Sequence, residues 1–188
     1  IGPRIIFTTG RMKVLITGSL SYIGSVLTHY LVESGFEVIG CDLGLFKDCL
    51  LYEPPETKTI FKDVRDIDEN DLRGIDALVH LAGISNDPFG SLDSAKVYDP
   101  TRSYSLRLAK LCKKLGVRFI FASSCSVYGR GGSKKLSEDS PVSPKTPYSV
   151  NKVQIENDLS SLGDKDFSPI ALRLATVFGL SPRMRFDV

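Results

Sequence analysis

The sequence predicts a doubly wound α/β fold built on one parallel sheet. Three observations carry that prediction: short apolar runs alternate with helix-like stretches, the runs are mostly uninterrupted, and a glycine-bearing turn joins the first run to the first helix. Uninterrupted apolar runs suit strands covered on both faces, which is how parallel sheets are buried. The runs are Val14-Leu15-Ile16, Val38-Ile39, Thr59-Ile60-Phe61, Ala77-Leu78-Val79, Phe119-Ile120-Phe121 and Ile170-Ala171-Leu172. Between them, Ile23 to Ser34, Pro100 to Leu115 and Ser149 to Leu162 place apolar residues three and four apart, the spacing of one helix face. Gly35 and Gly163 follow the first and third as C-terminal stops. Asp99-Pro100 reads as a cap and first helical residue, so the middle helix is expected to start or kink there. Segments 42–58, 85–97 and 129–147 are polar or rich in Gly, Pro and Ser, hence loops.

Composition removes several function classes. A chain of 188 residues with 42% hydrophobic content suits one packed domain. Its 24 basic and 22 acidic residues are interspersed, without the basic block or aromatic-basic alternation of a nucleic-acid binder. No apolar run approaches the roughly 18 residues of a membrane span, and Ile1 to Arg11 offers only Ile5-Ile6-Phe7 in place of a signal-peptide core, so a cytoplasmic location is the default. Cys41, Cys49, Cys112 and Cys125 lack metal-like spacing, and the two histidines have no Cys or carboxylate cluster beside them, so no metal site is expected.

Function is carried by an ordered combination of motifs. Thr17-Gly18-Ser19-Leu20-Ser21-Tyr22-Ile23-Gly24 lies between a strand and a helix, where glycines permit a tight bend and close packing while the helix N-terminus attracts a pyrophosphate. Gly18 and Gly24 fit the first and last roles; Ser21 stands at the close-approach position with a Cβ where none is preferred. An ordinary β-α turn would also have this octet. Asp42 after the second strand shifts the balance, since a carboxylate there accepts both ribose hydroxyls of NAD and repels a 2′-phosphate. Tyr148 and Lys152 lie one helical turn apart, downstream of a strand ending in Ser123-Ser124. A Tyr-x-x-x-Lys match alone is weak; in this order it suggests nicotinamide-dependent hydride chemistry.

Taken together, Thr17 to Gly24, Asp63, His80-Leu81-Ala82-Gly83, Ser123-Ser124-Cys125-Ser126-Val127-Tyr128-Gly129, Tyr148 to Lys152 and Arg173 to Gly179 resemble the extended short-chain dehydrogenases/reductases, in their NAD-dependent epimerase/dehydratase branch. The resemblance runs from Met12 to the last residue. It implies a Rossmann sheet of order 3-2-1-4-5-6, NAD as cofactor, a nucleotide-sugar substrate, and a possible homodimer through the second and third helices. It also implies roles. Gly18, Ser21, Tyr22, Ile23 and Gly24 form the phosphate turn, Asp63 and Val64 face adenine, and Leu81, Ala82 and Gly83 border the ribose and phosphates. Lys152 holds the nicotinamide ribose and, with oxidised nicotinamide, favours the phenolate of Tyr148, the base. Ser124, four residues before Tyr128, matches the catalytic Ser/Thr; Ser123 is the competing reading, disfavoured by the Val-Tyr-Gly anchor.

Departures qualify this. Cys125-Ser126 stands where sugar dehydratases carry an Asp-Glu pair, which disfavours dehydration; Thr101 replaces a common asparagine that supports the lysine. A non-catalytic NAD-binding protein, or an inactive fragment of such an enzyme, is the alternative to a sugar-nucleotide epimerase. By the same resemblance, residues 1–11 are a leader outside the fold, 12–180 the NAD-binding domain, and 181–188 the start of a substrate-binding region that continues in similar proteins. Arg183 and Arg185 there suit a sugar-nucleotide pyrophosphate, a solvated basic tail being equally consistent.

Overall fold

The computed structural model describes residues 10–84, 93–130 and 135–183. Six parallel strands form one sheet in the order β3-β2-β1-β4-β5-β6: β1 Lys13–Thr17, β2 Glu37–Asp42, β3 Thr59–Phe61, β4 Ala77–His80, β5 Arg118–Ser124 and β6 Ile170–Leu174. The helices are α1 Tyr22–Glu33, α2 Ser94–Leu115 and α3 Pro147–Leu162. The expected strand order holds, with β1 paired to β2 on one side and β4 on the other.

Two cores separate the layers. Val14, Ile16, Val38 and Ala77 pack with Leu27 and Leu31 of α1 on one face. On the other, Leu15, Ile39, Leu78, Phe119 and Phe121 meet Leu108, Ala109 and Cys112 of α2 and Ile155 and Leu159 of α3. Alternate residues of β1 thus serve opposite faces, as a period of two requires. Arg102 of α2 clasps Asp158 of α3 through Nε–Oδ2 at 2.6 Å and Nη2–Oδ1 at 2.9 Å. The clasp helps fix the register in which α3 presents its N-terminus.

Three expectations need correction. α2 starts at Ser94 and passes through Pro100, so it does not start at Asp99-Pro100, and residues 94–97 are helical where a loop through 97 was expected. Proline removes only its own N–H bond and crowds one carbonyl; burial of Tyr98 at 4% exposure offsets this, and Asn151 Nδ2 donates to Tyr98 O at 3.0 Å. α3 starts two residues early, at Pro147, because Thr146 caps it: Ser149 N–H donates to Thr146 Oγ1 at 3.2 Å and Thr146 N–H to Ser149 Oγ at 3.0 Å. The strands are not all covered on both faces either. Phe61, Ile170 and Leu172 are exposed, since β3 and β6 are the sheet edges and no described helix lies over their outer surfaces.

Candidate active site

All the strands run the same way, so the segments that follow β1, β2, β4 and β5 gather at one edge of the sheet. That edge is where doubly wound sheets bind ligands. After β1, Gly18 has φ +74°, and a Cβ there would stand 3.0 Å from Ala82 N. A Cβ on Gly24 would stand 2.0 Å from Gly18 O, so the first turn of α1 packs directly on the bend. Ser21 is the N-cap, its Oγ accepting the Gly24 N–H at 3.2 Å. The first main-chain bond of the helix runs from Ser25 N to Ser21 O, at 3.0 Å. The Tyr22 and Ile23 amides lie ahead of it, at the positive end of the helix dipole, where an anion is favoured.

Asp42 ends β2 as expected, and its carboxylate is fixed from two sides. Oδ2 accepts Leu20 N–H of the glycine turn at 3.0 Å and Oδ1 accepts Gly44 N–H at 2.9 Å. Each oxygen retains a lone pair for a further donor. Asp63 caps a short 3-10 turn over Val64–Asp66 and is engaged by Arg65, through its amide at 2.8 Å and Nη2 at 2.7 Å, which holds the carboxyl below its usual range. Val64 packs against the larger core.

His80, in sequence only the first residue of the His80-Leu81-Ala82-Gly83 motif, ends β4. Its ring is buried at 1% exposure between Thr17 Oγ1, 2.7 Å from Nδ1, and Ser105 Oγ, 2.9 Å from Nε2. Ser105 spends its one proton on Thr101 O at 2.7 Å, so Nε2 is the donor to Ser105 and Nδ1 accepts from Thr17. Thr17 Oγ1 in turn accepts Ala82 N–H at 3.3 Å. Burial, reinforced by the Lys152 charge, keeps the imidazole neutral, its pKa down at about 3. The chain Ala82–Thr17–His80–Ser105 pins the Leu81-Ala82-Gly83 turn beside Gly18.

The remaining residues come from β5 and α3. Lys152, 9% exposed, donates from Nζ to Ala122 O at 2.7 Å and lies 5.5 Å from the Tyr148 ring centroid. Burial lowers the Lys152 pKa to about 8, against the opposing effect of Glu156. Ser123 and Ser124 are divided by the alternation of the strand. Ser123 is buried and donates to Glu156 Oε1, whereas Ser124 is half-buried, and its Oγ accepts Ser126 N–H at 3.2 Å. An oxygen that accepts from the backbone keeps its own proton for another acceptor.

Glu156 and Arg173 form an ion pair beside these residues. Arg173 donates to Glu156 Oε2 from Nη2 at 2.8 Å and to Tyr128 Oη from Nη1 at 2.8 Å. Their sequence signals were the i,i+4 placement of Glu156 after Lys152 on one helix face and the position of Arg173 at the head of the Arg173 to Gly179 motif. Arg183 has its guanidinium 3.9 Å over the Phe46 ring and Leu50 as its bridge partner. Arg185 lies outside the described residues. Cys41 and Cys112 are buried, Cys49 and Cys125 exposed, and all four are free thiols. Among the described residues no helix is long and apolar enough to cross a membrane.

Comparison with known proteins agrees in kind. The model of a family described as NAD dependent epimerase/dehydratase matches residues 14–187. UDP-glucose 4-epimerase of Neisseria meningitidis serogroup C is 30% identical over 183 residues, which cover 89% of this chain and 53% of the relative. Among solved structures, MoeE5 in complex with UDP-glucose and NAD superposes with a TM-score of 0.78 at 31% identity, over 94% of this chain and 57% of that one. UDP-glucuronic acid 4-epimerase from Bacillus cereus in complex with NAD gives 0.77 at 29% identity, over 94% and 60%. The chain spans about half the length of the curated relatives it matches.

Proposed function

The chain belongs to the NAD dependent epimerase/dehydratase family, and from that premise we propose that it serves an NAD-dependent sugar-nucleotide epimerase with Ser124, Tyr148 and Lys152 as its reacting centre. The observation that carries this is the meeting of Lys152 Nζ with Ala122 O, 5.5 Å from the Tyr148 ring, on the strand that ends in Ser124. The relatives named above supply the substrate class, a UDP-sugar, and the cofactor. In the same reading residues 12–180 form the cofactor-binding domain, 181–188 open a substrate-binding region, and a homodimer forms through α2 and α3.

The residues at the sheet edge fit NAD. Gly18 and Gly24 leave room where a Cβ would meet backbone, Tyr22 and Ile23 offer amides at a helix N-terminus, and Asp42 is pre-set for ribose hydroxyls by Leu20 and Gly44. Leu81, Ala82 and Gly83 close the other side, with Asp63 and Val64 beyond Asp42. The chemistry NAD supplies when bound is reversible hydride acceptance. The protein moves the proton. Tyr148 as phenolate takes it from a substrate hydroxyl, Lys152 as ammonium favours that phenolate, and Ser124 donates to the oxygen as it becomes a carbonyl. Inversion with no net oxidation would require the site to let the ketone turn its other face to bound NAD before Tyr148 gives the proton back. Cys125 and Ser126 provide no carboxylic acid for elimination, so epimerisation is preferred to dehydration.

Two measurements test the reading. Titration of both cofactors should give tighter binding of NAD than of NADP, and equal or tighter NADP binding removes Asp42 from its role. With a nucleotide-sugar panel, Tyr148→Phe should lower hydride transfer by about 10²- to 10⁴-fold while NAD affinity stays within a factor of about two. Turnover retained in that variant would falsify the mechanism.

A further inference from the structure

Glu156 and Arg173 take no part in the reaction proposed above, yet both are set into its site. Glu156 lies one helical turn beyond Lys152 with its side chain 12% exposed; Arg173, 24% exposed, is the register partner of Ser123 on β6. Burying a carboxylate is costly unless its oxygens are filled. Here Oε1 accepts from Ser123 Oγ and from Arg173 Nε at 3.1 Å, and Oε2 from Arg173 Nη2 at 2.8 Å. Arg173 Nη1 continues to Tyr128 Oη at 2.8 Å and Glu138 O at 3.2 Å. The pair therefore reaches the end of β5, the 3-10 turn Cys125–Tyr128 and α3, the three segments that border Ser124.

We propose that Glu156, held by Arg173, is the positioning residue of this site: it fixes the end of β5 through Ser123 and supplies the negative charge that keeps buried Lys152 an ammonium. The proposal rests on the reading of Ser124, Tyr148 and Lys152 as the reacting groups. Around Lys152 stand Tyr148 and Glu156 on its own helix, His80 from β4 and the Phe121 ring from β5, with Tyr98 of α2 behind Tyr148 and Arg173 of β6 beyond Glu156. Glu156 is the carboxylate among them. Burial alone drives Lys152 toward the neutral amine, and an amine would not stabilise a phenolate at Tyr148.

The test is the titration of the Lys152 Nζ signal by nitrogen NMR in the ¹⁵N-lysine-labelled chain, assigned by its loss in Lys152→Arg. In Glu156→Gln the midpoint should fall by about one pH unit, and Glu156→Asp should restore most of it. A role in packing alone predicts the opposite sign, because loosening admits water and lifts lysine toward its ordinary value of about 10.4. An unchanged or raised midpoint in folded Glu156→Gln overturns the proposal. Should that variant not fold, Glu156→Met/Arg173→Met removes both charges at similar volume; a fallen midpoint there supports the proposal and an unchanged or raised one overturns it. NAD titration of the unaltered chain runs alongside. Failure to bind NAD sinks the reading of the site, whereas the Lys152 midpoint judges Glu156 independently.

Discussion

The glycine turn after β1 and the charged cluster between β5, α3 and β6 stand at the same edge of the sheet but are made of different materials. The turn is backbone: Gly18 and Gly24 matter for the atoms they lack, and the donors are main-chain amides. The cluster is side chain: Lys152, Glu156 and Arg173 are charged groups at low exposure, each held by a named partner. Close-packed backbone has no room to give, so the turn should fail on added volume. The cluster should fail on unpaired charge and absorb the loss of a neutral group.

The sharpest way to break this contrast is a pair of small substitutions. Gly24→Ala adds one methyl 2.0 Å from Gly18 O and should cost about 3 kcal/mol in urea unfolding, with NAD binding weakened in parallel. Ser123→Ala removes the hydroxyl donor to Glu156 but leaves the Arg173 pair, and should cost only about 1.5 kcal/mol. Equal costs would erase the distinction.

A second prediction concerns the link between the two regions, the buried His80. Burial pushes its pKa down to about 3 in the folded chain from the ordinary 6.5 when unfolded, so between those values the unfolded state binds a proton that the native state does not. The stabilisation is fully present above pH 6.5 and is lost as pH falls toward 3, with a slope of up to about 1.4 kcal/mol per pH unit. Moving from pH 6.5 to pH 5 should therefore cost about 2 kcal/mol through this residue. Asp158 and Asp164, whose carboxyls are lowered by Arg102 and Lys113, act only below the ordinary carboxylate value of 3.8. Unfolding of His80→Asn over the same range should show a flatter slope; an identical one would mean that His80 is not held neutral.

The smallest expected effect sharpens the account of the turn itself. Ser21→Gly loses the cap bond to Gly24 N–H, which costs a few tenths of a kcal/mol of stability. It should also tighten NAD binding by about 1 kcal/mol, close to fivefold, by removing a Cβ from the pyrophosphate approach. Weaker binding in calorimetry would show instead that the Ser21 hydroxyl donates to phosphate.

The sequence by itself determined the six apolar runs that become strands, the glycine turn, Asp42 after the second of them and the one-turn spacing of Tyr148 and Lys152, while the strand order was implied by the family resemblance. These are local: apolar runs set strands, a bend needs glycine, and residues one turn apart share a helix face. Tertiary structure decided the rest. Pro100 sits inside α2 because burial of Tyr98 and the bond from Asn151 outweigh a lost main-chain bond. The Val-Tyr-Gly anchor favoured Ser124 over Ser123, but the partners of the two came only with the fold: Glu156, arriving from α3, accepts from Ser123, whereas the Oγ of half-buried Ser124 accepts the Ser126 N–H. His80 and Arg173 likewise acquire their partners from segments 25 and 17 residues away. A buried polar group is meaningful through what satisfies it, and that partner is fixed by how the layers pack, which no spacing along the chain records.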